Sequence, residues 1–159
     1  MLLTPPALSR ILSYFQVMPS FLDYLYVFGG RYGVDRERRF SAFRSENDCL
    51  TPHPSLRIPA LNRTGKRFQI CYNLKTINLK SAIETEYDDI EDWKIRQAAF
   101  HHQFDIEAVT QLWIVAEPQR EFRQLIGDQF HEMRNHREKF ASFKQAFKTS
   151  LDVHLACGR

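Results

Sequence analysis

The stretch RFQICYNLKTINL, residues 67–79, alternates apolar and polar side chains over most of its length. Phe68, Ile70, Tyr72 and Leu74 fall on one side, with Gln69, Asn73 and Lys75 on the other. Successive side chains of an extended chain point to opposite faces, so a period of two marks a strand with two unlike faces. The pattern predicts a strand over 67–79, entered through a turn at Asn62–Lys66 that contains Gly65.

Residues 93–104 alternate less regularly and predict a second strand. Residues 111–116 predict a third. Its unbroken run Leu112, Trp113, Ile114 and Val115 is expected of a central strand covered on both faces. Asp105–Thr110 then forms a hairpin loop. Phe40–Arg44 alternates briefly and predicts an edge strand over 40–44. Trp93, Ile95, Trp113 and Ile114 are expected at the centre of the core. Arg96 and Gln97 lie beside them, and a buried Arg96 would need a partner such as Asp105 or an acid from Glu84–Asp92.

The period changes at both ends of the chain. Leu8, Ile11, Leu12, Phe15, Met18 and Leu22 recur at steps of three and four, the mark of one buried helical stripe. Pro19 is expected to break this region into two helices, because proline removes a hydrogen bond and clashes with the preceding turn. Gly29, Gly30 and Gly33 end it. Two further stripes, Phe122–Met133 and Phe140–Leu151, predict two C-terminal helices, with Lys144 and Lys148 facing outward. Asn47–Pro59, with three prolines, and the acidic run Glu84–Asp92 read as loops. Helices, then antiparallel strands, then helices make the fold class α+β, with one domain over residues 1–159.

Composition narrows the function. The chain has 159 residues, 43% of them hydrophobic and 26% charged, as in ordinary globular domains. Its 22 basic and 19 acidic residues give a net charge of +3, too balanced to point to nucleic acid. Cys49, Cys71 and Cys157 show neither a disulfide framework nor zinc-ligand spacing, and read as reduced cytosolic thiols. Residues 7–28 are the most apolar stretch. They contain Arg10, Gln16, Pro19 and Asp23, so direct membrane insertion is not expected.

Several groups invite chemistry. His101, His102 and Asp105 suggest a metal-dependent enzyme. Adjacent histidines on a strand point to opposite faces, however, and a closed site would need a distant ligand such as His131. Asp88, Asp89, Glu91 and Asp92 are weak candidates for Mg²⁺, since hard cations favour oxygen ligands, but the run lacks the spacing of a calcium loop. Cys71, on a strand, reads as a buried, inert thiol. Lys66–Arg67 and the group Arg31, Arg36, Arg38 and Arg39 read as solvated loop charges rather than anion sites. No catalytic residue and no cofactor beyond weak Mg²⁺ is expected.

Three segments together carry a resemblance: SYFQVMPSFLDYL at 13–25, QICYNLK at 69–75, and WKIRQAAFHHQFD at 93–105 followed by Leu112-Trp113-Ile114. In this order they resemble the N-terminal cytosolic domain of fungal CorA-like transporter-domain proteins. The resemblance implies a domain placed ahead of a stalk helix and two membrane helices. The Gly-Met-Asn signature of CorA channels is not found in this sequence, so the resemblance does not carry pore activity to it. A non-catalytic regulatory or interaction domain is expected, cytoplasmic, with a protein partner or a second copy. A stand-alone adaptor and a small metal-dependent enzyme are the alternatives.

Overall fold

The computed structural model describes residues 4–28, 40–79, 93–118, 123–124, 126–128, 130–131 and 142–157. The alternation at 67–79 forms a strand, β2 (Arg67–Leu79), that pairs antiparallel along its full length with β3 (Trp93–Asp105). The shorter strands β1 (Phe43–Asn47) and β4 (Thr110–Ala116) flank this pair, so the sheet order is β1-β2-β3-β4. With helices on either side of an antiparallel sheet, the class is α+β.

Two helices precede the sheet: α1 (Pro5–Tyr14), with proline in its first turn, and α2 (Phe21–Tyr26). Proline suits that position because its missing N–H is unpaired there in any helix. The second helix starts just past Pro19, as expected, but the first ends well before it. Helix α1 stops at Tyr14 and the chain reverses at Gln16, whose φ of 52° lies in the left-handed region. The single stripe expected from Leu8 to Leu22 is therefore two stripes with different facings. Phe21 and Tyr24 enter the core at 0% and 1% exposure, while Leu22 is exposed at 36%.

At the other end, α3 (Phe143–Cys157) is the second of the predicted C-terminal helices. Lys144 and Lys148 are exposed, and its buried stripe is Ala146, Ser150 and Val153 rather than the Phe147 and Leu151 positions. Residues 123–124, 126–128 and 130–131 are helical where the first of those helices is predicted. The acidic run 84–92, the glycines at 29, 30 and 33 and the side chains of Trp93, Ile95 and Arg96 lie outside the described residues.

The N-terminal and C-terminal segments cover opposite faces of one sheet. Val17, Met18, Phe21 and Tyr24 pack with Cys71 and Ala99, joined by Leu112, Ile114 and Ala116. On the other face Ala98 and Phe100 pack with Ile126 and Val153, joined by Tyr72, Leu74, Trp113 and Val115. The face of β2 that reads as polar is the more deeply buried one. Arg67, Gln69, Cys71 and Asn73 are buried, and Phe68, Ile70, Tyr72 and Leu74 are half-buried.

Two strands depart from expectation. The edge strand begins at Phe43, not Phe40, because the Asn73 side chain holds the segment before it. Its Nδ2 donates to the Phe40 carbonyl at 3.0 Å, and its Oδ1 accepts from the Ala42 N–H at 2.9 Å. That amide takes the place of ladder bonds. The apolar run at 111–116 belongs to an edge strand rather than a central one. Both its faces are covered, but Trp113 and its neighbours are only half-buried.

Fully burying a large apolar side chain stabilises by about 1.5–3 kcal/mol, and truncating it costs more through the cavity left behind. Phe100→Ala is expected to lower stability by about 3–5 kcal/mol. Leu22→Ala is expected to cost under about 1 kcal/mol. Urea titration of the two variants checks this, and equal losses would contradict the burial pattern.

Candidate functional site

Beneath α1 and α2 the sheet presents a layer of polar side chains. Gln69 is 1% exposed. Its Nε2 donates to Glu46 Oε2 at 3.2 Å, and its Oε1 accepts from the Met18 backbone N–H at 3.1 Å. A carboxylate accepts and an N–H donates, so the orientation of this amide is fixed. His101 Nε2 also meets Gln69 Oε1, at 3.1 Å, and must therefore carry the proton. The other ring nitrogen, Nδ1, is buried without a partner. Gln103, its amide oriented to match its neighbours, donates to Gln69 Oε1 at 3.3 Å and to the Phe15 carbonyl at 3.1 Å. Its oxygen accepts from Arg67 Nη1 at 3.1 Å.

Arg67 closes this layer at 4% exposure. Desolvation lowers its pKa, opposed by the charges of Glu46, Asp48 and Asp105. Asp105 sits opposite Arg67 in the ladder but bonds elsewhere. Its carboxylate accepts from the Thr64 N–H at 2.9 Å, the Thr64 hydroxyl at 2.8 Å and the Ala108 N–H at 3.0 Å, which shapes the β3–β4 hairpin. A cleft of about 230 Å³ opens beside Arg67, walled by Phe15, Leu61, Arg63, Gly65, Gln103 and Leu112 among others. Gly65 has φ +83°, and a Cβ there would come within 3.0 Å of the His53 carbonyl oxygen, so a side chain is excluded.

The opposite face holds a chain of rings. The Tyr72 hydroxyl lies 2.7 Å from His154 Nδ1, and His154 Nε2 lies 2.9 Å from His102 Nδ1. His102 stacks on Trp113 with centroids 4.0 Å apart. One nitrogen of the imidazole pair must donate and the other accept, so the two rings cannot both be protonated. Burial pushes His102 down to about 3, helped by the neighbouring His154 and His101 and opposed by Gln111. Burial lowers His154 to about 4, and burial with the charge of Arg67 lowers His101 to about 4.

The structure does not bring His101, His102 and Asp105 together. The two histidines face opposite layers, Asp105 serves the hairpin, and His131 is exposed on a helical segment. Among the described residues no three histidine, cysteine or acidic side chains group as metal ligands do. Asp88, Asp89, Glu91 and Asp92 lie outside the described residues, as do Arg31, Arg36, Arg38 and Arg39. Cys71 is buried, its thiol pushed up by desolvation. Lys66 is solvated and pairs with Glu107, but Arg67, read as a solvated loop charge, is an interior residue. The signal that points to Arg67 is its in-register position beside Gln69 and opposite Gln103 and Asp105. Four polar residues on one face of paired strands nonetheless read as a solvated face in sequence, and only the α1–α2 segment packed over them shows that the layer is covered.

The family described as CorA-like transporters matches residues 1–158. No curated protein and no solved structure gives a match. Among the described residues no helix is long and apolar enough to cross a membrane.

The neutral histidines give a pH dependence. Each titrates near 6.5 when unfolded and at about 3–4 when folded. The folded form thus takes up fewer protons than the unfolded chain below about pH 6.5, so stability is full above that value and drains as the pH falls. Each histidine contributes a slope of about 1.4 kcal/mol per pH unit in that window. The urea midpoint is expected to be level from pH 7 to 8 and to fall between pH 6 and 4.5. His154→Phe should make that fall shallower, and an unchanged slope would contradict the assignment.

Proposed function

The chain belongs to the CorA-like transporter family, and from that premise we propose that it is a non-catalytic regulatory domain acting by contact with protein, a second copy of itself included. The observation that carries this reading is the state of the groups able to do acid–base chemistry. His101, His102 and His154 are turned inward, neutral, and bonded to Gln69, to each other and to Tyr72. Asp105 is committed to Thr64 and Ala108. A general base has to reach a substrate proton at hydrogen-bond distance, and these groups meet other side chains instead.

The surface offers a place for contact. All five residues of β1 are exposed, and among the described residues no strand pairs with its outer edge. Such an edge is a template for a further strand. In this reading the domain lies on the cytoplasmic side of a membrane, as the N-terminal part of CorA-like proteins does, and conducts no ion itself. Asp88, Asp89, Glu91 and Asp92 bind Mg²⁺ weakly, because a divalent ion relieves the repulsion among carboxylates adjacent in sequence while Mg²⁺ demands octahedral geometry and keeps its waters.

Metal analysis and an NMR titration test the non-catalytic part. Purified chain is expected to hold no stoichiometric zinc or iron, and millimolar Mg²⁺ should shift amides of residues 84–92 alone. Micromolar binding, or shifts centred on His101 and His102, would restore the enzyme reading. Light scattering tests the contact part: the mass of the chain should rise with concentration, and Ser45→Lys should reverse this by charging the edge. A mass independent of concentration removes self-association.

A further inference from the structure

Arg67 has a property that a contact surface does not use. It is 4% exposed, its Nε has no acceptor, and among the described residues no carboxylate lies within 4.0 Å of its guanidinium. Its hydrogen-bond acceptors are neutral amides: Gln16 Oε1 at 3.4 Å and Gln103 oxygen at 3.1 Å. Asp105, the nearest acid in the ladder, is occupied by three other donors. Glu46 and Asp48 act on Arg67 only from a distance, and Arg63 opposes them. Burying a guanidinium without an ionic partner costs several kcal/mol, and an anion placed against it recovers much of that.

The cleft beside it has the form to admit one. Its volume of about 230 Å³ is below the roughly 300–1,000 Å³ of pockets for drug-sized ligands, so only a small molecule fits. Phe15, Leu61 and Leu112 give it apolar walls. Asp105 also lines it, against Arg63 and Arg67, and its carboxylate is turned to the Thr64 and Ala108 donors. Arg63 also lines it, with its guanidinium 5.0 Å from the Tyr14 ring centroid and 5.7 Å from that of Phe15, and bonded to the Tyr14 carbonyl. The planar fork of an arginine matches the two oxygens of a carboxylate.

We propose that this cleft binds a small carboxylate with a compact apolar body. The carboxylate oxygens meet the Arg67 guanidinium, the body rests on Phe15, Leu61 and Leu112, and Arg63 adds a second positive charge on the cleft wall. The site is independent of the β1 edge, so either can fail without the other.

Titration of the full chain with benzoate, followed in ¹H–¹⁵N spectra, tests this. Benzamide serves as the neutral shape match and inorganic phosphate as a tetrahedral anion. Benzoate is expected to give saturating shifts at Gly65, Arg67 and residues 110–112 in the millimolar range. Benzamide and phosphate should bind at least about tenfold more weakly, and Arg67→Gln should weaken benzoate by about tenfold or more. If Arg67→Gln does not fold, Thr110→Trp supplies the control, since Thr110 is an exposed residue on the cleft wall. It should abolish the benzoate shifts and leave distant resonances in place. Absence of benzoate shifts at the cleft, benzamide or phosphate binding as tightly as benzoate, or benzoate shifts that survive Thr110→Trp would overturn the proposal.

Discussion

A buried primary amide must satisfy an acceptor and a donor end together, and at Gln69 this requirement ties four segments into one arrangement. Its nitrogen reaches Glu46 on β1, and its oxygen receives Met18 from the turn between α1 and α2 and His101 and Gln103 from β3. Each partner is directional. A slip of one residue in the pairing of β2 with β3 would turn Gln69 to the opposite face, where Tyr72, Phe100 and Trp113 offer it aromatic surface. The amide therefore acts on specificity more than on raw stability: it admits one register and one seat for the N-terminal helices.

The two faces of the sheet divide the work. The face under α1 and α2 sets Cys71 and Ala99 beside Arg67, Gln69, Asn73 and His101, and it fixes position through hydrogen bonds. The face under α3 relies on stacked rings, with Tyr72 on Phe100 at 5.1 Å and Phe68 on Phe104 at 5.8 Å, and supplies apolar burial. The Tyr72–His154–His102 chain is the polar exception there, and it anchors α3 to both central strands.

The spans of β2 and β3 were legible because the pleat imposes a period of two that tertiary context does not erase, and that of β4 because its apolar run is unbroken. Pro19 marked the start of α2 correctly, while the reversal at Gln16 was hidden, since nothing in a glutamine announces a left-handed φ. The start of β1 was hidden too, because it depends on Asn73, thirty residues downstream of Phe43. Gln69, Asn73 and Arg67 look like a solvated face when read alone. Only their partners, contributed by Met18, Phe40, Glu46, Gln103 and His101, make burial tolerable, and such pairings join residues remote in sequence. For the same reason the opposed facing of His101 and His102 could be read from their adjacency, while the two environments they enter could not.

Covering one sheet from two ends of the chain gives the protein a history as well as a shape. Synthesis runs from the N-terminus, so the polar face has its helices waiting before β3 and β4 emerge. The aromatic face has to wait for α3, and about forty residues separate the end of β4 at Ala116 from the end of α3 at Cys157. At about 5–20 residues per second that interval lasts several seconds. Through it Tyr72, Phe100 and Trp113 stand uncovered by α3 on a nascent sheet, the kind of surface that chaperones hold and that neighbouring chains on a polysome would otherwise find.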